Sequence, residues 1–311
     1  MAHLPDVVAA DVRGVARALS LVEQGGSEAE ELVRSLRGRL GRARTAGVTG
    51  APGVGKSTLV QALGIVLLDG GAKVAVLAVD PSSPFSGGAL LGDRVRMPEL
   101  LERGAYVRSM ATRGALGGLA AATSDAIDVL DAAGFDWVLL ETVGVGQDEV
   151  DVAGEVQTVA LVTVGGMGDD IQAAKAGVME IAHVFAVNKA DQPGADAQAA
   201  AIEGALSLAP LAGWRPPVVR TSALTREGIA ELHDALLSHQ RFLDGGERRE
   251  EARLRRTRRR VERLVAALIR ERIAGPLAAS FSEALERVAR GELDPYAAAR
   301  GLVETAGTEA S

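Results

Sequence analysis

The sequence predicts an α/β fold built on a doubly wound, mostly parallel sheet, with helices added at both ends. Two observations carry that prediction. Short apolar runs at 46–49, 73–79, 105–109, 137–142, 159–164, 184–188 and 218–222 alternate with helical stretches at 58–68, 120–132, 171–181, 195–208 and 229–239. The runs are continuously apolar rather than alternating, as strands are when helices cover both faces of a parallel sheet. The residues that bear chemistry fall at the C-terminal ends of these runs, where open α/β sheets place their ligands.

Before the first strand, Val8, Val12, Val15, Ala16, Leu19 and Val22 recur at helical spacing until Gly25-Gly26 stops the run. Ser27 with Glu30 predicts a capping box, and Leu32, Leu36 and Leu40 line one face of a second helix. These helices carry no chemistry of their own. Their expected role is packing against the central unit or a second subunit.

The first strand runs into Gly50-Ala51-Pro52-Gly53-Val54-Gly55-Lys56-Ser57 and then a helix. This is the G-x-x-x-x-G-K-[ST] loop in its strand–loop–helix context. Glycines let successive amides turn inward as an anion-binding nest, to which the helix adds its free amides and positive dipole end. Gly50, Gly53, Val54, Gly55, Lys56, Ser57 and Thr58 are therefore candidate phosphate-binding residues, with Lys56 on the outer phosphates and Ser57 on Mg²⁺.

The second strand opens onto a Pro-, Ser- and Gly-rich stretch, 80–94, that holds two carboxylates, Asp80 and Asp93. Mg²⁺ takes near-octahedral oxygen coordination and keeps several waters, so both acids are candidate ligands, direct or through water. The fourth strand ends in Glu141-Thr142-Val143-Gly144-Val145-Gly146-Gln147. An acid closing a strand with glycine three residues on resembles the switch of nucleotide hydrolases. Glu141 is a candidate for holding a Mg²⁺-bound water or orienting the attacking one, and the Gly144 amide for touching the γ-phosphate. Signalling GTPases carry glutamine directly after that glycine. Here Val145 stands there and the nearest glutamine is Gln147, which predicts slow unaided hydrolysis.

Asn188-Lys189-Ala190-Asp191 is the guanine signature. A carboxylate at Asp191 matches guanine N1–H and its 2-amino group together, whereas adenine offers no such pair of donors. Lys189 is expected to lay its stem along the base. Ser222 and Ala223, one strand later, supply backbone able to read guanine O6.

Composition narrows the class. With 47% apolar and 24% charged residues the chain can bury a large core, and with 3% aromatics that core rests on Ala, Val and Leu. Thirty-four Lys and Arg against forty-one Asp and Glu leave a formal charge of −7, with no global attraction for nucleic acid. The absence of cysteine excludes disulfides, zinc–thiolate sites and thiol catalysis. No signal-peptide core or membrane-spanning run is evident, so a cytoplasmic protein without membrane attachment is expected.

Beyond Phe242 the composition shifts. Residues 247–263 hold nine Arg against four Glu, with no aromatic to stack on bases, followed by an apolar stripe. Pro276 breaks that helix, Phe281, Leu285 and Val288 continue a second, and 307–311 reads as a frayed tail. The chain thus divides into an N-terminal helical segment (1–43), a nucleotide-binding domain (44–242) and a C-terminal helical extension (243–311).

These motifs together resemble the methylmalonyl-CoA mutase-associated GTPase family over about residues 44–240. The most specific part is the block from Asp80-Pro-Ser-Ser-Pro through Gly-Gly-Ala-Leu-Leu-Gly-Asp93-Arg94-Val95-Arg96-Met97, with Ser109-Met110-Ala111-Thr112-Arg113-Gly114 and 141–147 beside it. The resemblance implies a GTP- and Mg²⁺-dependent chaperone that guards and reloads an adenosylcobalamin-dependent acyl-CoA mutase. It implies phosphate, Mg²⁺ and hydrolysis roles for Lys56, Ser57, Asp80, Asp93 and Glu141, and base reading by Asn188 and Asp191. It also implies a homodimer formed through the C-terminal extension, where Leu254, Val261, Leu264 and Leu268 make one helix face. The segment 164–175 resembles the family's extra switch, which couples nucleotide state to the mutase. Gly165 stands where the family commonly has proline, which predicts a less restrained loop. The alternative is a P-loop kinase acting on a protein or small-molecule acceptor, since the family also carries a transport-associated kinase label.

Overall fold

The protein is described by a computed structural model covering residues 7, 11–79, 97–110, 118–142, 154–166, 181–208 and 213–308. Seven parallel strands form its sheet: β1 (Arg44–Gly50), β2 (Val74–Val79), β3 (Tyr106–Met110), β4 (Trp137–Thr142), β5 (Thr158–Val164), β6 (Val184–Asn188) and β7 (Val218–Arg220). Their order is β3-β2-β4-β1-β5-β6-β7. Every expected strand is present, with ends shifted by at most two residues. The described helices are α1 (Val12–Gln24), α2 (Ser27–Leu36), α3 (Lys56–Asp69), α4 (Pro98–Glu102), α5 (Gly118–Ala133), α6 (Ala195–Leu208), α7 (Ile229–Leu243), α8 (Glu247–Ala274), α9 (Ala278–Ala289) and α10 (Pro295–Thr308). The helix expected over 171–181 lies outside the described residues apart from its last position.

The strands are apolar throughout because each supplies two cores. Ala75, Leu77 and Val79 of β2, with Val138 and Leu140 of β4, face the layer of α1, α2 and α5. Val74 and Val76, with Trp137 and Leu139, face the layer of α3, α4 and α7. Leu161, Phe185 and Val187 pack against α6. Alternate side chains of a strand point to opposite faces, so both registers must be apolar when both faces are covered.

The N-terminal helices pack on the sheet layer. Val15, Leu19 and Val22 of α1 and Leu32 and Leu36 of α2 are buried in the same cluster as α5. The expected capping box does not form. Ser27 is already helical, Gly26 occupies the cap position at φ 83°, and no side chain caps the helix. Helix α2 also ends before Leu40, at a 3₁₀ turn over Arg37–Arg39.

At the other end, α8 begins after a Gly245-Gly246 turn and crosses back over α5. Arg260 reaches Asp125 at 2.6 Å and Asp128 at 2.7 Å, and Arg263 reaches Glu155 at 2.6 Å. Burial raises the Asp125 pKa to about 6 despite the Arg260 charge beside it. A third helix, α10, was not expected. Its start signal was present: Asp294 accepts hydrogen bonds from the Tyr296 and Ala297 amides, with Pro295 at the first helical position. The supposed tail is therefore helical through Thr308. Among the described residues no helix is long and apolar enough to cross a membrane.

Candidate functional site

The site is assembled at the C-terminal edge of the sheet, where β1, β4, β5 and β6 end. Gly50 closes β1 at φ 150°, and a β-carbon there would lie 2.3 Å from the Val162 carbonyl oxygen of β5. Only glycine lets the chain leave the sheet along this path. Gly53 (φ 80°) and Gly55 (φ 92°) take left-handed conformations, which bend the loop into a curl before α3. Gly55 is the cap residue of α3 and has no side chain to satisfy the first amides of the helix. A helix start of this kind presents its amides and positive dipole end to an anion.

Lys56 is the first residue of α3 and is only 7% exposed. Its ammonium donates to the carbonyls of Gly50 at 2.7 Å and Ala51 at 3.0 Å, so the charge lies against the mouth of the loop. The Ser57 hydroxyl donates to the Glu141 carboxylate at the end of β4. Glu141 is 4% exposed. The register that pairs Val48 of β1 with Glu141 brings the two groups together, although they are 84 residues apart in sequence. Beneath them the hydroxyls of Thr142 and Thr49 are 3.0 Å apart, which locks β4 to β1 just before the loop. Serine hydroxyl and carboxylate oxygen are hard donors of the kind Mg²⁺ takes. Among the described residues there is no cluster of three or more His, Cys, Asp or Glu able to hold a metal.

The base-reading signature is fastened to the phosphate loop. Asn188, 1% exposed, donates to the Val54 carbonyl at 2.8 Å. Its Oδ1 accepts from the Ala223 amide at 3.1 Å and from the Thr221 hydroxyl at 3.3 Å. The Asn188 amide group is thus engaged at both ends within the protein, and its geometry is that of a brace between three loops. Beside the base-reading role expected of it, Asn188 therefore also joins the phosphate loop to the turns after β6 and β7. Asp191 is exposed, beyond a turn in which Lys189 takes φ 56°. The Lys189 ammonium reaches back to the Gly53 carbonyl at 3.0 Å, which draws its stem over the loop. Gly55 makes the approach of Asn188 to the loop possible, because a β-carbon there would lie 2.6 Å from Asn188 Nδ2. The Ser222 amide donates a hydrogen bond to the Glu227 carbonyl at 2.9 Å, which orients the Ser222–Ala223 turn beside Asn188.

Seven of the candidate positions that precede the fourth strand, Gly50, Gly53, Val54, Gly55, Lys56, Ser57 and Thr58, are therefore in one continuous loop and helix start. Glu141, Asn188, Lys189, Ser222 and Ala223 reach the same edge from three other strand ends, with Asp191 just beyond. Asp80, Asp93, Gly144 and Gln147 lie outside the described residues, as does 167–175 of the coupling segment. Gly165 is described. A β-carbon there would lie 2.7 to 2.9 Å from backbone atoms of Pro193, Gly194 and Ala195. Two backbone segments touch here, and glycine is what permits it; the rest of the loop expected to be less restrained lies outside the described residues. Sequence reasoning missed Thr49, Thr142 and the bracing role of Thr221. The hydroxyls at 49 and 142 interrupt otherwise apolar strands at their last turns, and that was the available signal.

A parallel sheet of this order, with a phosphate loop after β1 and a base loop after β6, defines a P-loop nucleotide-binding protein of the GTPase class. The model of the methylmalonyl-CoA mutase-associated GTPase MeaB family matches residues 15–278, and the chain belongs to that family. It is a GTPase and binds guanine nucleotide. A Pyrococcus abyssi protein provisionally named as a GTPase is 48% identical over 299 residues, spanning 93% of this chain and 91% of its own. The mouse mitochondrial protein named methylmalonic aciduria type A homolog is 38% identical over 253 residues, spanning 74% of this chain and 61% of its own. A crystal structure described as a LAO/AO transport system kinase superposes with a TM-score of 0.71 at 28% identity, covering 95% of this chain and 93% of that one.

Proposed function

We propose that this GTPase is a chaperone whose hydrolysis of GTP gates cofactor loading and protection of an adenosylcobalamin-dependent acyl-CoA mutase, with methylmalonyl-CoA mutase as the client. The observation that carries the reading is the family match over 15–278, with the joined phosphate and base loops beneath it. The mouse relative's name points to the same metabolism.

In this reading Lys56 exchanges its carbonyl partners for β- and γ-phosphate oxygens, and the amides at the start of α3 face the remaining phosphate charge. Ser57 and Glu141, with Asp80 and Asp93, would hold Mg²⁺, which neutralises charge on the β- and γ-phosphates. Glu141 and Gln147 orient the attacking water, and the Gly144 amide meets the γ-phosphate. Asp191 reads guanine N1–H and the 2-amino group, the Ser222–Ala223 backbone reads O6, and the Lys189 stem covers the base. Asn188 holds the two halves of the site at a constant separation.

The chain is proposed to act as a cytoplasmic homodimer with no nucleic-acid or membrane partner, divided at 43 and 242 as the sequence suggests. Leu254, Val261 and Leu268 are about half exposed or more along α8 and support a dimer contact through the C-terminal extension. The 164–175 segment would carry nucleotide state to the mutase. A second reading, a kinase passing phosphate to an acceptor, is favoured by the description of the superposable crystal structure.

Copurification with the candidate mutase, with GDP or with a non-hydrolysable GTP analogue, tests the client. Nucleotide-dependent capture is expected, and equal recovery in both states would refute the gating role. Incubation with γ-labelled GTP separates the two chemistries: label is expected as free phosphate, and stoichiometric label on a protein or small molecule would favour the kinase.

A further inference from the structure

At the opposite edge of the sheet from the nucleotide loops lies a cavity of about 170 Å³, between the start of β1, the end of α7 and the first turns of α8. Four guanidinium groups line it: Arg42 and Arg44 from the approach to β1, and Arg249 and Arg256 from α8. The acid among the lining residues is Asp244, which sits 3.8 Å from Arg249. In a chain of net charge −7, this concentration of positive charge on one small cavity is a local reversal. Burial lowers the Arg256 pKa against the opposing pull of Glu155, and the neighbouring Arg259 and Arg255 charges lower it further.

Two buried polar atoms of the lining residues have no hydrogen-bond partner among the described residues. Gln240 lines it and is 5% exposed, yet its Oε1 has no hydrogen-bond partner. Arg44 Nη1 is likewise buried without a partner among the described residues. An unmade bond on a buried donor or acceptor is costly, so such groups are normally satisfied by protein, water or ligand. The amides of 41–43 do not provide the partner, because the Asp131 carboxylate already occupies them. The missing group must accept from guanidinium and donate to a glutamine carbonyl. A monohydrogen phosphate or a phosphate monoester carrying one proton does both and, unlike water, also offsets the charge of the four guanidinium groups. The volume equals that of about six liquid waters at roughly 30 Å³ each, which leaves room for one phosphoryl group.

We propose that this cavity is a second anion site, separate from the nucleotide site, that takes a single phosphoryl group. Arginine is suited to that role by its planar, multiply donating head. Two of its arginines come from the strand approach and two from α8, so an anion there fastens α8 to the sheet and relieves the repulsion among them. Arg42 and Arg249 are exposed at the mouth, so an esterified phosphate could enter with its ester group outward.

The test uses the full-length protein saturated with GDP, so that the phosphate loop is filled. Thermal unfolding and hydrogen exchange of the first turns of α8 are followed while inorganic phosphate replaces chloride at constant ionic strength. A higher midpoint and slower exchange are expected, as for any ligand that binds only the folded state. Arg256→Gln and Arg44→Gln should each raise the phosphate concentration needed by about tenfold or more. Arg258→Gln removes an equal charge from the opposite face of α8, where it pairs with Glu262, and should change nothing. Should Arg44→Gln fail to fold, Arg256→Gln alone decides. No phosphate effect beyond chloride, or one that persists undiminished in the Arg256 and Arg44 variants, overturns the site. Glycerol 3-phosphate in a parallel titration identifies the source: tighter binding than phosphate upholds an esterified ligand, and equal or weaker binding upholds the free ion.

Discussion

Asn188→Ala isolates the brace that joins the two halves of the site. The substitution removes three hydrogen bonds and orphans two buried backbone groups, the Val54 carbonyl and the Ala223 amide. Each orphaned group costs about 1–3 kcal/mol. A total near 3 kcal/mol corresponds to roughly a hundredfold in affinity, at about 1.4 kcal/mol per factor of ten. The cost falls on nucleotide binding if the loops separate in the free protein and the ligand must rejoin them. Calorimetry with GDP and ADP in Mg²⁺ is the assay. GDP should bind between about ten- and a hundredfold more weakly, and the GDP-to-ADP ratio should stay within about threefold of the parent value, because Asp191 is untouched. Asn188→Asp should lose at least as much, since a carboxylate cannot donate to the Val54 carbonyl and is costly to bury. Unchanged GDP affinity, or a ratio that collapses while ADP affinity holds, would refute the assignment of Asn188 as a brace.

Other perturbations address separate parts of the molecule. Asp191→Asn should weaken GDP and gain xanthosine nucleotide, and the parent protein should prefer GDP to ADP by at least about a hundredfold in the same titration. Lys56→Ala should lower single-turnover phosphate release by at least about a hundredfold, and a rate within tenfold of the parent would remove Lys56 from the chemistry. Gly165→Ala should destabilise the fold by about 1–3 kcal/mol in a denaturant titration, through its collision with 193–195, and an unchanged midpoint would show that the contact can yield. The stacked pair His183 and His239 predicts an acid limb in stability. Burial lowers their pKa values to about 4 and about 3, with the Arg259, Arg255 and Arg256 charges adding to the effect on His183 and the His183 charge to that on His239. His183 Nδ1 accepts from the Val159 amide, so that nitrogen cannot take a proton without losing the bond. The unfolded chain protonates both rings near pH 6.5, so their contribution is complete above that pH. It is lost as pH falls toward 4, at about 1.4 kcal/mol per pH unit for each ring. His239→Gln should flatten that limb in urea titrations between pH 6.5 and 4, and an unaltered slope would place the acid sensitivity elsewhere.

The alternation of strand and helix, the phosphate loop and the guanine signature were legible in the chain because each is a local pattern. Uninterrupted apolar runs report burial on both faces, Gly-rich curls report left-handed backbone, and the residues that bear chemistry recur at strand ends. Even the unforeseen α10 was announced locally, by Asp294 and Pro295. The capping box at Ser27 failed for a related reason: Gly25 and Gly26 already turn the chain at φ 72° and 83°, so the helix starts without a side-chain cap. What only the tertiary structure decided are contacts between segments far apart in sequence. Glu141 meets Ser57 across 84 residues, Asn188 meets Val54 across 134, and Gly165 presses on Gly194. Strand register sets those meetings, and register depends on how the whole sheet packs. The arginine cavity shows the same division: the charge run of α8 is plain in the sequence, but that two of its nine arginines converge with Arg42 and Arg44 on one cavity follows from the turn at Gly245-Gly246 and the path α8 takes back across the sheet.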